Sequence, residues 1–229
     1  MKTTAFVFLV FILISCKSKD PDLVGYWSFD EATTSLVPDQ SGNGLNAINK
    51  GAVLVDGKVG KALEFDGKSV LQIDYKPILD DFQKGITVSA WIKKDTASHW
   101  NTIVSREIGA GWSEYIGLAV HQNKALFSID PDGKSYQNVK ADEKIQPGVW
   151  VHLAGTFDHE TYKLYINGKL IKIGACNSLL HFSDQNPWLI GGNTNNQNQS
   201  LVDCFKGSID EVRIYKRALS LPEINQLIN

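Results

Sequence analysis

Asn167-Gly168 sits between two alternating runs, residues 162–166 and 169–173. A type I′ turn needs positive φ at both central positions, so Asn-Gly between such runs specifies a two-residue β-hairpin. Ile86-Thr87-Val88-Ser89-Ala90-Trp91-Ile92 alternates throughout, the period of a half-buried strand. Further strand candidates are residues 24–29, 62–65, 70–73, 102–105, 115–120, 126–129, 151–157, 189–190 and 208–215. Turn clusters separate them: Ser41-Gly42-Asn43-Gly44, Asp56-Gly57, Asp66-Gly67, Gln122-Asn123 and Asp130-Pro131-Asp132-Gly133. Many short strands with no helical period between them predict an all-β fold, an antiparallel sandwich or barrel. The exception is the end of the chain. Ser220-Leu221-Pro222-Glu223 places a capping Ser, an early Pro and Glu at the third helical position, predicting a short C-terminal helix.

At 229 residues the chain suits a single domain. Its 25 acidic and 23 basic side chains leave a formal charge of −2, which lacks the basic footprint that nucleic-acid binders need. No nucleic-acid partner is expected. Six Trp is a high count for this length, and Trp is enriched at binding surfaces.

Lys2 precedes an apolar run, residues 5–14, that breaks at Ser15-Cys16-Lys17. The run is too short to span roughly 30 Å of hydrocarbon, and its layout is that of a secretory signal. Leu13-Ile14-Ser15-Cys16 resembles the lipobox of bacterial lipoproteins. That resemblance implies cleavage before Cys16, lipidation of its thiol, and membrane attachment through this anchor only, with Lys17 favouring the outer membrane. A plain signal peptide with an incidental Cys is the alternative. The expected organisation is a signal peptide over 1–15, a lipidated tether over 16–22 and one domain over 23–229. In an oxidising compartment Cys176 and Cys204 are left as an even pair. A disulfide between them would close a loop of about 28 residues, worth on the order of 3 kcal/mol, around the polar tract 193–199. Two buried free thiols are the alternative.

An ordered series of motifs carries a second resemblance. It begins with Gly25-Tyr26-Trp27-Ser28-Phe29-Asp30-Glu31 and Asp39-Gln40-Ser41-Gly42-Asn43-Gly44, followed by Gly60-Lys61-Ala62-Leu63-Glu64-Phe65-Asp66-Gly67 and the 86–92 run. Trp150-Val151-His152-Leu153-Ala154-Gly155-Thr156-Phe157-Asp158 leads into the Asn-Gly hairpin, and Gly207-Ser208-Ile209-Asp210-Glu211-Val212-Arg213-Ile214-Tyr215 closes the series. Taken in order, these resemble the laminin-G-like jelly roll of the concanavalin A-like lectin/glucanase superfamily. The resemblance implies an antiparallel β-sandwich whose first and last strands are adjacent. It also implies a structural calcium, with Asp30, Asn43 and Asp210 as side-chain ligands and Asp39 as a further candidate; turn-shaping is the other reading of Asp39 and Asn43.

Within this family Trp27, Trp91 and Trp150 fall in shared strand motifs and read as packing residues. Trp100, Trp112 and Trp188 fall in loop-like stretches, beside Asn, Asp and His. A sugar site needs a flat apolar face ringed by polar groups, which makes these three the ligand-binding candidates, with Arg106, Tyr115 and Tyr136 as polar neighbours. No Glu-x-Asp-x-x-Glu or Glu-x-Asp-x-Glu glucanase motif occurs, and Glu107 and Glu114 stand apart. Glycoside hydrolysis needs two facing carboxylates, so no catalytic residue is assigned. The expected function is a non-catalytic, glycan- or polysaccharide-binding domain of a cell-envelope lipoprotein. A subunit binding an envelope protein is the first alternative, and a glycosidase or lyase the second.

Overall fold

The computed structural model describes residues 20–95, 100–107, 114–182, 185–195 and 200–229. The expected signal segment, Cys16 and Trp112 lie outside the described residues. In chain order the strands are β1 (Leu23–Trp27), β2 (Leu36–Val37), β3 (Ala47–Lys50), β4 (Val53–Asp56), β5 (Lys61–Asp66) and β6 (Val70–Ile73). Next come β7 (Ile86–Lys94), β8 (Trp100–Glu107), β9 (Glu114–His121), β10 (Lys124–Ile129), β11 (Gln137–Lys140) and β12 (Val151–Phe157). The last are β13 (Thr161–Ile166), β14 (Lys169–Ala175), β15 (Trp188–Ile190), β16 (Asn193–Asn195), β17 (Ser200–Val202) and β18 (Lys206–Tyr215), then helix α1 (Leu221–Gln226).

Two antiparallel sheets pack face to face. The first runs β14-β13-β12-β7-β18-β5-β4, with β1 also paired to β18; the second runs β11-β10-β9-β8-β15-β6-β3-β2. The β1–β18 pairing, Trp27 opposite Val212, places the first and last strands side by side as the motif series implied. The hairpin forms as expected: Ile166 pairs with Lys169, and Asn167 and Gly168 have φ of 47° and 73°.

Alternation decides which side chains meet between the sheets. Val88, Ile92, Leu153, Ile209 and Ile214 from the first sheet, and Leu118, Val120, Phe127 and Ile129 from the second, belong to one buried core. Trp27 joins it, its indole N–H donating to the Leu45 carbonyl at 2.9 Å. Trp91, on the opposite face of the first sheet, packs edge-on to His152 under Lys58. The helix closes a second cluster, with Ile224 and Leu219 against Ala154, Tyr165 and Tyr215. Glu223 accepts from the Ser220 backbone N–H at 2.8 Å, so the helix begins where the capping pattern placed it.

The disulfide expectation is corrected. Cys176 and Cys204 are both free thiols. Cys176 directly follows β14, the edge of the first sheet, whereas Cys204 bridges to Thr102 on β8 in the second. Residues 193–195 of the polar tract they were expected to enclose form β16, which pairs with β17, Asn193 opposite Val202.

Candidate functional site

The outer face of the second sheet is built from residues that alternate with the core. Gly117, Ala119 and His121 on β9 lie between the core residues Ile116, Leu118 and Val120, and Ser128 on β10 lies between Phe127 and Ile129. On β8 the parity changes partway along the strand. Even-numbered residues 100 to 106 would share one face of a regular strand, but an irregularity between Thr102 and Val104 breaks the register. A bulge re-aims the side chains on either side of it. Val104 and Arg106 therefore turn inward, both fully buried, while Trp100 lies on the outer face opposite His121.

There the Trp100 indole stacks on the His121 ring, centroids 4.0 Å apart and planes 4° from parallel. Beside it is a hollow of about 330 Å³ lined by Trp100, Thr102, Glu114, Tyr136, Asn193 and Asp203. The segment carrying Asp203 is tied to β8 by the Thr102 N–H donating to the Asp203 carbonyl at 2.8 Å. Glu114 forms the floor. Its carboxylate accepts from Ser128 Oγ at 2.7 Å and from Asn193 Nδ2 at 3.3 Å. Asn193 is 6% exposed, and its Oδ1 is buried without a hydrogen-bond partner. Burial, then the charge of Glu114, pushes the Tyr136 hydroxyl up to about 12, so it stays a neutral donor. A flat aromatic face beside hydroxyl, amide and carboxylate groups suits a saccharide ring and its hydroxyls. A hollow of similar volume among Pro21, Asp22, Asp81, Gln83, Lys84 and Lys216 has no aromatic lining.

Of the sequence-predicted ligand residues, Trp100 and Tyr136 come together here. Three others do not. Trp188 is fully buried against Phe82, because its register opposite Arg106 on β8 aims it at the core. Arg106 donates to the Leu79 carbonyl and Asp80 Oδ1, both at 2.8 Å, and its guanidinium lies 4.1 Å from the Phe182 ring centroid. Tyr115, 1% exposed, packs edge-on against the same Phe182. All three close one end of the core. Glu114, Asn193, Asp203 and Thr102 were not selected from the sequence, since they converge only through strand pairing.

The four candidate metal ligands divide into two places. Asp210 Oδ2 accepts from the backbone N–H groups of Lys58 and Val59 at 2.9 and 3.0 Å, and Asp30 Oδ1 accepts from Lys61 N–H at 2.8 Å. Both carboxylates thus hold the turn between β4 and β5. Asp210 is fully buried, its Oδ1 has no hydrogen-bond partner, and burial pushes its carboxyl up to about 6. Asp39 is occupied elsewhere, accepting from the N–H groups of Tyr26, Ser41 and Leu45, and Asn43 Nδ2 donates to the carbonyls of Leu23 and Val24. These two staple the 39–45 turn onto β1. No group of three or more His, Cys, Asp or Glu suited to a metal occurs among the described residues.

Residues 65–225 match a family model described as the concanavalin A-like lectin/glucanases superfamily. Among solved structures, the chain is similar to domain 4 of AbnA, a GH43 extracellular arabinanase from Geobacillus stearothermophilus, in complex with arabinotriose. The TM-score is 0.72 at 25% identity, covering 91% of this chain and 98% of that one. The binding domain of Paraclostridial Mosquitocidal Protein 1 has the same TM-score at 19% identity, covering 91% of this chain and 52% of that one. In sequence, the whole mosquitocidal protein of Paraclostridium bifermentans is 25% identical over 213 residues, and mouse Pappalysin-1 is 25% identical over 183. Those matches span 84% and 72% of this chain but only 16% and 11% of the relatives' own lengths. The chain belongs to the concanavalin A-like lectin/glucanases superfamily.

Proposed function

With that membership as premise, we propose that the chain is a non-catalytic glycan-binding domain whose site is the hollow beside Trp100. The observation that carries the reading is the Trp100 indole, stacked on His121 and flanked by Thr102, Tyr136, Asn193 and two carboxylates. The arabinotriose complex of AbnA domain 4 supports it, since that domain matches this one along nearly its whole length. Glu114 is engaged by Ser128 and Asn193, which suits a positioning acceptor. A glycan panel probed with the full chain and with Trp100→Ala tests the reading. Loss of the aromatic face is expected to weaken binding about fivefold to tenfold, the equivalent of on the order of 1 kcal/mol. Binding unaffected by the substitution, or release of cleaved product, overturns it.

The lipobox-like Leu13-Ile14-Ser15-Cys16 extends the proposal to a lipoprotein of the bacterial cell envelope, attached through Cys16 and favouring the outer membrane. Among the described residues no helix is long and apolar enough to cross a membrane. Metabolic labelling with a fatty acid, abolished by Cys16→Ser, tests the anchor. For calcium, the orphaned Oδ1 of buried Asp210 suits a cation, and with Asp30 and carbonyls of the β4–β5 turn it would supply the oxygen ligands. The ion would neutralise a buried carboxylate and pin that turn. Calcium is expected to raise Tm in the wild type and not in Asp210→Asn; equal response in both removes the site.

A protein partner is the second reading. It is favoured by Val53, Leu54 and Val59, which are 63%, 43% and 50% exposed around the edge strand β4.

A further inference from the structure

We propose that the hollow beside Trp100 selects uncharged saccharides and refuses those carrying carboxylates. The inference rests on the glycan reading and names the ligand class for the same site. Among the described residues its lining holds two carboxylates, Glu114 and Asp203, and neither Lys nor Arg. Glu114 is 9% exposed, so its charge acts on an incoming group through little water. Asp203 is exposed and its field is screened by salt.

Hydrogen-bond complementarity points the same way. The carboxylates of Glu114 and Asp203 in the described lining are acceptors only. A sugar hydroxyl can donate to each of them. A saccharide carboxylate has no proton to offer these acceptors and also meets like charge. Tyr136 illustrates the local field, since the charge of Glu114 helps hold its proton on.

Residues 96–99, 108–113 and 196–199, which continue from β8, β9, β16 and β17, read Thr-Ala-Ser-His, Ile-Gly-Ala-Gly-Trp-Ser and Asn-Gln-Asn-Gln, without Lys or Arg. Two described lysines belong to the same outer face: Lys124 pairs with His121 across β9 and β10, and Lys140 lies beside that ring. Lys140 Nζ lies 3.2 Å from His121 Nδ1, and neither lysine is among the described lining residues.

Matched pairs of oligosaccharides that differ only in charge test the proposal: oligogalacturonate against its full methyl ester, and sialylated against desialylated glycans, together with neutral pentose and hexose oligomers. Affinities of the full chain are measured by calorimetry at about 50 mM and about 500 mM salt, for wild type, Asp203→Asn and Trp100→Ala. The neutral member of a binding pair is expected to bind about tenfold tighter at low salt, with the gap narrowing at high salt and in Asp203→Asn. An acidic member that binds as tightly as its neutral partner, in a manner lost in Trp100→Ala, overturns the charge selection and leaves the glycan reading standing. Absence of binding across the panel, or binding indifferent to Trp100→Ala, overturns both.

Discussion

The floor of the hollow depends on a close approach that one methyl group would break. Gly117 on β9 lies beneath the Glu114 carboxylate. A Cβ placed there would fall within 3.0 Å of Glu114 Oε1 and Ser128 Oγ, and 2.8 Å from Glu114 Cγ. Gly117→Ala therefore needs no unusual backbone conformation, only space that the Ser128–Glu114 contact occupies. Overpacking a dense site costs about 1–3 kcal/mol. Disrupting the 2.7 Å hydrogen bond from Ser128 Oγ to the carboxylate adds roughly 1.5 kcal/mol or more. The sum, about 3 kcal/mol, corresponds to a fall in Tm of roughly 6–12 °C for a domain of this size. Ser128→Ala alone forfeits the hydrogen bond without the clash, about 2 kcal/mol. In the double variant the hydroxyl that blocked the methyl is gone, so the costs fall short of their sum by about 1–2 kcal/mol. Urea denaturation of the four proteins completes the cycle, and glycan affinity measured alongside should fall in Gly117→Ala as Glu114 is displaced. Strict additivity, or Gly117→Ala within about 0.5 kcal/mol of wild type, would refute the proposed close approach.

Two further outcomes follow from buried groups elsewhere. His152 is fully buried with both ring nitrogens unpartnered, and burial, assisted by the charge of Arg213, pushes it down to about 4. Its folded pKa lies below its ordinary 6.5, so the unfolded chain takes up the proton first. Stability is then complete above pH 6.5 and falls as pH drops towards 4, by up to about 3 kcal/mol; His152→Phe should flatten that limb in urea titrations between pH 7 and 4, and an unchanged slope counts against it. Since Cys176 and Cys204 are free, both should be alkylated in denaturant without prior reduction, as read by peptide mass, and reductant should leave Tm unchanged. A drop of several degrees on reduction would restore the bridge.

Local chemistry was legible in the sequence and pairing chemistry was not. The Asn167-Gly168 turn and the Ser220–Glu223 cap each depend on residues a few positions apart, and both form where the sequence put them. Trp100 and Trp188 looked equivalent because each stands at the margin of a strand. Their fates differ through register: Trp188 opens β15 opposite Arg106 and is driven into the core, while the irregularity between Thr102 and Val104 turns Trp100 outward. Arg106, read from the sequence as a polar neighbour of the site, is instead fully buried. Asp80 and the Leu79 carbonyl, brought over it by the short 3₁₀ turn Pro77–Asp80, make its burial tolerable.

The bulge in β8 therefore creates the site as much as any side chain does. In an unbroken strand Trp100 and Thr102 would share a face with Val104 and Arg106 and be buried with them. One shift in register instead places an aromatic platform on the outer face, opposite His121 and next to the strand that carries Gly117. The absence of a side chain at Gly117 then lets Glu114 and Ser128 meet over β9. Asn193 and Asp203, remote in sequence, complete the lining because β16–β17 and the segment after it are tied back to β8. On a scaffold common to its superfamily, three local departures shape this hollow: a bulge, a glycine and a buried amide oxygen without a partner.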